Sequence, residues 1–237
     1  MVNQEDMTAR RSVKAQKARP RLVGVIASLA DLQRATRLRH PPDLFELRLD
    51  ALHPLTAPAE RLIAKLTRPF IITARHPREG GRNDLSANFR RELLLHFLPL
   101  TAFVDIELRA CAQLRAVLQE AAERHIARII SVHDLRRTPS LPALQRLARR
   151  AEKFSPDLFK VVTRTDRAAD LARLLAFFDE EHRRLPLSVM GLGRLGKKSR
   201  IALSQRGSLL QYVHLGTALV SGQCSLAHAR RLLFARL

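Results

Sequence analysis

Two hydrophobic periods alternate along the chain. Short apolar or β-branched runs recur at RLVGVIAS (21–28), LFELRLD (44–50), FIITAR (70–75), FVDIEL (103–108), RIISVHD (128–134), LFKVVTR (158–164), LPLSVMG (185–191) and LLQYVHLG (209–216). Their first residues lie 23 to 33 positions apart. Between them, in stretches such as PAERLIAKL, FRRELLLHFL, AQLRAVLQEAAERH, LPALQRLARRAEKF, DLARLLAFFDEEHRR and SLAHARRLLFARL, apolar residues return every three or four positions, the period of a helix with one buried face. Strands alternating with helices of this length predict βαβ units and a parallel sheet. Eight such units in about 215 residues suit a closed (β/α)8 barrel, the TIM barrel of the α/β class, better than an open doubly wound sheet. The expected organisation is a short basic tail over residues 1–20, read as mobile, and a single barrel domain over 21–237.

Several strands depart from the continuous apolar runs usual for a parallel sheet buried on both faces. In LFELRLD, Glu46, Arg48 and Asp50 share one face and Phe45, Leu47 and Leu49 the other. Asp105 pairs with Glu107 in the same way, Ser131 with His133, and Thr73 with Arg75. If the apolar faces pack on the helices, the charged ones point into the barrel, where charges persist only when paired or used. The pattern therefore predicts an interior polar site near the C-terminal strand ends, where barrel enzymes place their chemistry.

Composition narrows the class. The chain has 237 residues with a net charge of +20, two cysteines and no tryptophan. This length falls in the range of one α/β barrel. Cys111 and Cys224 form no C-x-x-C pair, so neither a disulfide framework nor a zinc site is expected, and both read as buried small apolar groups. No run approaches the ~18 apolar residues of a membrane span, and the first twenty residues lack the apolar core of a secretory signal, so a soluble, cytoplasmic protein is expected. Residues 194–237 carry eight basic and no acidic groups, and the tail adds five basic to two acidic. Such charge favours nonspecific contact with nucleic acid. With one tyrosine and no tryptophan the stacking platforms are scarce, so a solvated surface with a local anion site is the preferred reading and no specific nucleic-acid partner is expected. Gly191-Leu-Gly193-Arg-Leu-Gly196 satisfies G-x-G-x-x-G after a strand, but no Asp or Glu follows residue 181 to hold a ribose. A glycine-rich turn at the barrel mouth is expected instead.

The interior groups suggest a reaction. Lys160 is the only lysine within a predicted strand. In a desolvated, cation-rich interior its amine would be held neutral and able to attack a carbonyl. His133, one strand earlier, can move protons near neutral pH. Glu79, just after the third strand, can orient that imidazole. Arg48, Arg75 and Arg200 can bind a substrate carboxylate through paired N–H donors. The implied chemistry is imine-assisted proton abstraction beside a ketone in an acidic small molecule.

With these residues in place the chain resembles the type I 3-dehydroquinate dehydratases, the Schiff-base class of the shikimate pathway. ELRLD (46–50), TARHPREGG (73–81), VDIEL (104–108), SVHD (131–134), FKVV (159–162), LGRLGKKSR (192–200) and SGQCS (221–225) match family blocks in order, from about residue 21 onward. The resemblance implies a (β/α)8 barrel and dehydration of 3-dehydroquinate to 3-dehydroshikimate, with no metal or cofactor. It makes Lys160 the imine-forming residue, His133 the general acid and base, and Glu79 the residue that positions His133. Glu46, Arg48, Arg75, Arg200 and Gln223 fall on substrate-binding positions, and a homodimer is implied. Departures lie around the site. The usual A-P-G-Q lid reads Val220-Ser221-Gly222-Gln223, Leu219 replaces the lid serine, and Leu192 replaces a methionine. Val162-Thr163-Arg164 stands for V-M-P, and the strand-one serine falls on Val25, with Ser28 three residues on. Leu219 offers no hydroxyl, so a poorer carboxylate clamp is expected. The alternatives are a class I aldolase-like Schiff-base barrel, and a worn enzyme fold that binds RNA.

Overall fold

The computed structural model describes residues 19–234; the predicted basic tail lies outside them except for Arg19 and Pro20. Eight parallel strands run β1 (Arg21–Ile26), β2 (Leu44–Arg48), β3 (Phe70–Thr73), β4 (Phe103–Glu107), β5 (Ala127–Asp134), β6 (Leu158–Arg164), β7 (Leu187–Leu192) and β8 (Leu210–His214). One principal helix follows each: α1 (Leu29–Ala35), α2 (Ala57–Ile63), α3 (Ala87–Phe97), α4 (Arg115–Glu123), α5 (Leu141–Glu152), α6 (Ala168–Glu181), α7 (Gly196–Arg206) and α8 (Leu226–Phe234). The sheet order is β7-β6-β5-β4-β3-β2-β1-β8, with β1 in register against both β2 and β8. The last seam is held mostly by serines. Leu209 N–H donates to Leu187 O at 3.0 Å, while Ser208 Oγ accepts from Val189 N at 2.9 Å and donates back to Val189 O at 3.2 Å. Ser188 Oγ donates to Leu210 O at 3.1 Å. The result is a nearly closed (β/α)8 barrel.

The helices start where the local chemistry allows. Ser28 caps α1 by accepting from Asp31 N, and Ser86 caps α3 by accepting from Phe89 N. Pro142 opens α5, and Arg149 and Arg150 sit in its last turn, beside the negative end of the helix dipole. The alternation read in the strands governs the packing. Phe45, Leu47, Ile72, Val104, Ile106, Ile130, Phe159 and Val161 face the helices in one large core. The opposite faces supply a smaller interior cluster of Val23, Val25, Leu44, Ile71, Ile129, Leu158, Met190, Leu210 and Tyr212. The polar groups occupy the rest of that interior.

One expected strand end is corrected. β2 stops at Arg48, and Asp50 lies in a one-turn helix, Leu49–Leu52, not on the strand face. Its buried carboxylate draws the chain out of the strand by accepting from Arg48 Nε (2.9 Å), Arg75 N (3.0 Å) and Arg82 N (2.8 Å).

Candidate active site

The strand register carries the charged faces to the C-terminal half of the barrel. Ser131 on β5 is level with Lys160 on β6, and Thr73 on β3 with Asp105 on β4. Lys160 is 3% exposed. Its Nζ donates to Asp105 Oδ2 at 2.9 Å, lies 3.6 Å from Glu46 Oε1, and sits 3.8 Å from the centroid of the Tyr212 ring. The cation-rich surroundings expected for this amine are therefore not what it meets, because two carboxylates from β2 and β4 flank it.

Arg75 holds the other side of Asp105. Its guanidinium donates to both Asp105 oxygens at 3.0 Å, to Glu107 Oε1 at 3.0 Å and to Ser131 Oγ at 2.9 Å. Burial would lower Arg75, but Asp105, Glu107 and Glu46 together raise it well above its ordinary value. Burial would likewise raise Asp105, yet Arg75 and Lys160 hold it far below the usual carboxylate range. Glu46 also accepts from Thr73 Oγ1 at 3.0 Å. Behind this layer, the buried Arg90 of α3 pairs with Glu107 and donates to Ala74 O at 2.6 Å.

His133 and Glu79 form a second unit. Glu79 follows β3 in a single 3-10 turn, Pro77–Glu79, closed by Gly80 at φ 86°, a left-handed conformation that a side chain resists. Its Oε2 accepts from the His133 backbone N–H at 2.8 Å and lies 3.0 Å from His133 Nδ1. Arg109 Nε is 3.0 Å from the other oxygen. Burial raises the Glu79 carboxyl to about 7. Burial also lowers His133 well below 6.5, reinforced by the positive charges of Arg75 and Lys160. The imidazole is thus neutral near pH 7, and an Nδ1–H donated to Glu79 leaves Nε2 as the basic nitrogen.

The remaining predicted residues sit around these two units. Arg48 is tied to Asp50 and donates to Gly80 O at 3.1 Å, linking β2 to the turn that carries Glu79. Arg200, from α7, is 2% exposed and donates to Gly191 O and Tyr212 O, each at 3.2 Å. It has no carboxylate partner among the described residues, and burial lowers it to about 10. A buried cation without a counter-charge suits an anionic ligand. Gln223 Oε1 accepts from Leu219 N at 2.9 Å, which folds the loop after β8 on itself. Leu219 packs against the interior apolar cluster that includes Val25, Met190 and Tyr212. Val25 points into that cluster, whereas the Ser28 hydroxyl is spent on the α1 cap. The glycines of the G-x-G-x-x-G string serve close packing. Gly193 N–H donates to Ser221 O at 3.1 Å, and a Cβ on Gly196 would lie 3.1 Å from Gly222 Cα. Both cysteines are free and buried.

Three contributors escaped the sequence reading. Arg90 had a signal, since it shares the buried face of α3 with Leu94 and Phe97, four and seven positions on. Tyr212 had one too, as an inward position of β8; its buried hydroxyl has no hydrogen-bond partner among the described residues. The bracing role of Asp50 had none. Among the described residues no three His, Cys, Asp or Glu side chains group as a metal site would require.

Comparison with known proteins finds relatives over most of the described chain. The model of the type I 3-dehydroquinase family matches residues 23–236. The 3-dehydroquinate dehydratase of Methanothermobacter thermautotrophicus is 32% identical over 192 residues, covering 81% of this chain and 84% of its own. Among solved structures, the 3-dehydroquinate dehydratase of Aquifex aeolicus is 27% identical with a TM-score of 0.74, covering 91% of this chain and 100% of its own. The type I enzyme of Clostridium difficile shares the fold at a TM-score of 0.82 and 23% identity, covering 91% of each chain.

Proposed function

Since the chain belongs to the type I 3-dehydroquinase family, hydro-lyases of the shikimate pathway that dehydrate 3-dehydroquinate, we propose that Lys160, His133 and Glu79 perform this dehydration through an imine. The Lys160 amine adds to the ring ketone, and the carbinolamine loses the ketone oxygen as water to give an iminium. That cation withdraws electrons from the neighbouring C–H bond. Nε2 of the neutral His133 takes the proton and leaves an enamine. The enamine expels the adjacent hydroxyl, which departs as water with the proton returned by His133. Water then hydrolyses the conjugated iminium, releasing 3-dehydroshikimate and the free amine. Glu79 holds the imidazole in the required tautomer throughout. Arg200, with Arg48, Arg75, Glu46 and Gln223, would receive the substrate's carboxylate and hydroxyls. Homodimerisation, which rests on the family resemblance, and a cytoplasmic location, which rests on the chain's patterning, belong to the same proposal. No helix among the described residues is long and apolar enough to cross a membrane.

The observation that carries the mechanism is the buried Lys160 amine, 2.9 Å from Asp105, one strand from a histidine that burial keeps neutral. The test is a dehydratase assay that follows the absorbance of the enone product, coupled to borohydride trapping. Reduction in the presence of substrate should add ligand mass to the peptide containing Lys160. Turnover with the label on another residue would remove Lys160 from the mechanism while leaving the activity intact.

A further inference from the structure

At the opposite end of the barrel from Lys160, a cavity of about 600 Å³ opens beside the first residues of β1 and ahead of β2 and β3. Arg39, His40, Arg68, Arg230 and Arg231 line it, with Asp43 as the acid. Both Asp43 oxygens are engaged, one by Arg19 at 3.1 Å and the other by Leu22 N–H at 2.8 Å. Arg230 donates to Pro41 O at 2.9 Å, which fastens α8 to the segment before β2. Arg39, Arg68 and Arg231 have no ion pair among the described residues. Some exposed arginines meet acids, as in Arg124–Glu120, Arg164–Asp166 and Arg206–Asp179, but what sets this group apart is that several converge on one cavity with a single acid. Here α8 belongs to a stretch without any acidic residue after position 181, so it brings two cations to the cavity and no counter-charge.

Like charges that converge on a concave surface repel one another and focus a positive potential there. We infer that this cavity binds a compact small-molecule anion bearing two or more phosphate groups, at a site separate from the candidate active site. Guanidinium forks match phosphate oxygens two at a time, and several forks match several phosphates. The volume is that of a small-ligand pocket, within ~300–1,000 Å³. Among the described residues its lining holds no Phe, Tyr or Trp, and its chemistry is dominated by guanidinium groups suited to phosphate oxygens.

The experiment is calorimetric titration of the full chain with inorganic tripolyphosphate at about physiological ionic strength. Saturable one-to-one binding is expected. Arg39→Gln, Arg68→Gln and Arg231→Gln together should weaken it by roughly tenfold or more, equivalent to at least ~1.4 kcal/mol. A second triple variant, Arg61→Gln, Arg149→Gln and Arg150→Gln, removes the same charge from exposed positions outside the cavity and should change affinity less than about twofold. Should the first triple variant fail to fold, the single change Arg68→Gln is read instead, by its effect on the melting-temperature rise that tripolyphosphate gives. Equal weakening by both triples, no saturable binding, or an affinity unaltered by Arg68→Gln would overturn the site. So would a single-stranded RNA that binds more tightly than tripolyphosphate and is indifferent to the cavity arginines.

Discussion

Replacing Arg200 by glutamine distinguishes a substrate ligand from a structural brace. Burial lowers this guanidinium from its ordinary value to about 10. At ~1.4 kcal/mol per pKa unit, keeping it charged inside the free protein costs about 3 kcal/mol. Its bonds to Gly191 O and Tyr212 O return about 1.5–3 kcal/mol each. The return of roughly 3–6 kcal/mol exceeds the cost by about 0–3 kcal/mol, and a glutamine amide can keep one of the bonds. Arg200→Gln should therefore leave stability within about 2 kcal/mol of wild type, roughly 4–8 °C in melting temperature for a chain of this size. Substrate binding has no such compensation. A carboxylate seated on Arg200 supplies the counter-charge absent from the free protein, and losing about 3 kcal/mol there raises KM by about a hundredfold. The carboxylate is bound alike in ground and transition states, so kcat should fall much less than kcat/KM. Thermal unfolding and steady-state kinetics on the same preparation check both halves. A fall of more than about 15 °C in melting temperature, with KM of the folded enzyme within about threefold of wild type, would mean that Arg200 braces the β7–β8 seam and binds no substrate.

Three further changes probe the other residues. His133→Ala should still trap substrate on Lys160 with borohydride but lose ~10²–10⁴-fold in turnover; a loss under about tenfold would assign the proton transfers elsewhere. Since Glu79 titrates at about 7, kcat/KM should fall as pH drops through that value, because a protonated Glu79 donates to Nδ1 and leaves Nε2 carrying the hydrogen. Glu79→Gln should lower activity and flatten that acid limb; an unchanged limb would assign it to another group. If Leu219 makes the poorer carboxylate clamp, Leu219→Ser should lower KM several-fold with kcat little changed; an unchanged or raised KM would show that its packing on the interior apolar cluster suits the lid to its site.

The sequence carried the strand interiors further than the strand ends. A period of two puts Glu46, Asp105, Lys160 and His133 on faces opposite Phe45, Val104, Phe159 and Val132, and the structure keeps that division because a one-residue slip would turn every charge onto the helices. Glu79 lies in a turn, where periodicity is silent, so only its place just after β3 and the family block point to it. Pairing was harder to read than placement. Alternation shows that Asp105 and Lys160 both point inward, but not that they meet at 2.9 Å, since that depends on the relative level of β4 and β6. Arg90 shows the same difficulty. Its spacing with Leu94 and Phe97 puts it on the buried face of α3, but only the depth of that helix against β4 brings it onto Glu107.

The reversal of charge around Lys160 bears on the chemistry. Three carboxylates (Glu46, Asp105 and Glu107) and three cations (Arg75, Arg90 and Lys160) share one buried network. An apolar interior of the same volume would fold at least as well, because desolvating ions offsets most of what their pairing returns. Stability therefore does not explain the arrangement. On the imine reading, the Lys160 nitrogen is positive as an ammonium and positive again as an iminium. Asp105 and Glu46 then face the same charge before and after condensation and need no reorganisation when the electron sink forms. Fixed groups already oriented toward the charge of an intermediate lower its energy without moving. Asp105, held ionised by Arg75 on one side and Lys160 on the other, keeps that orientation whichever of the two forms the nitrogen takes.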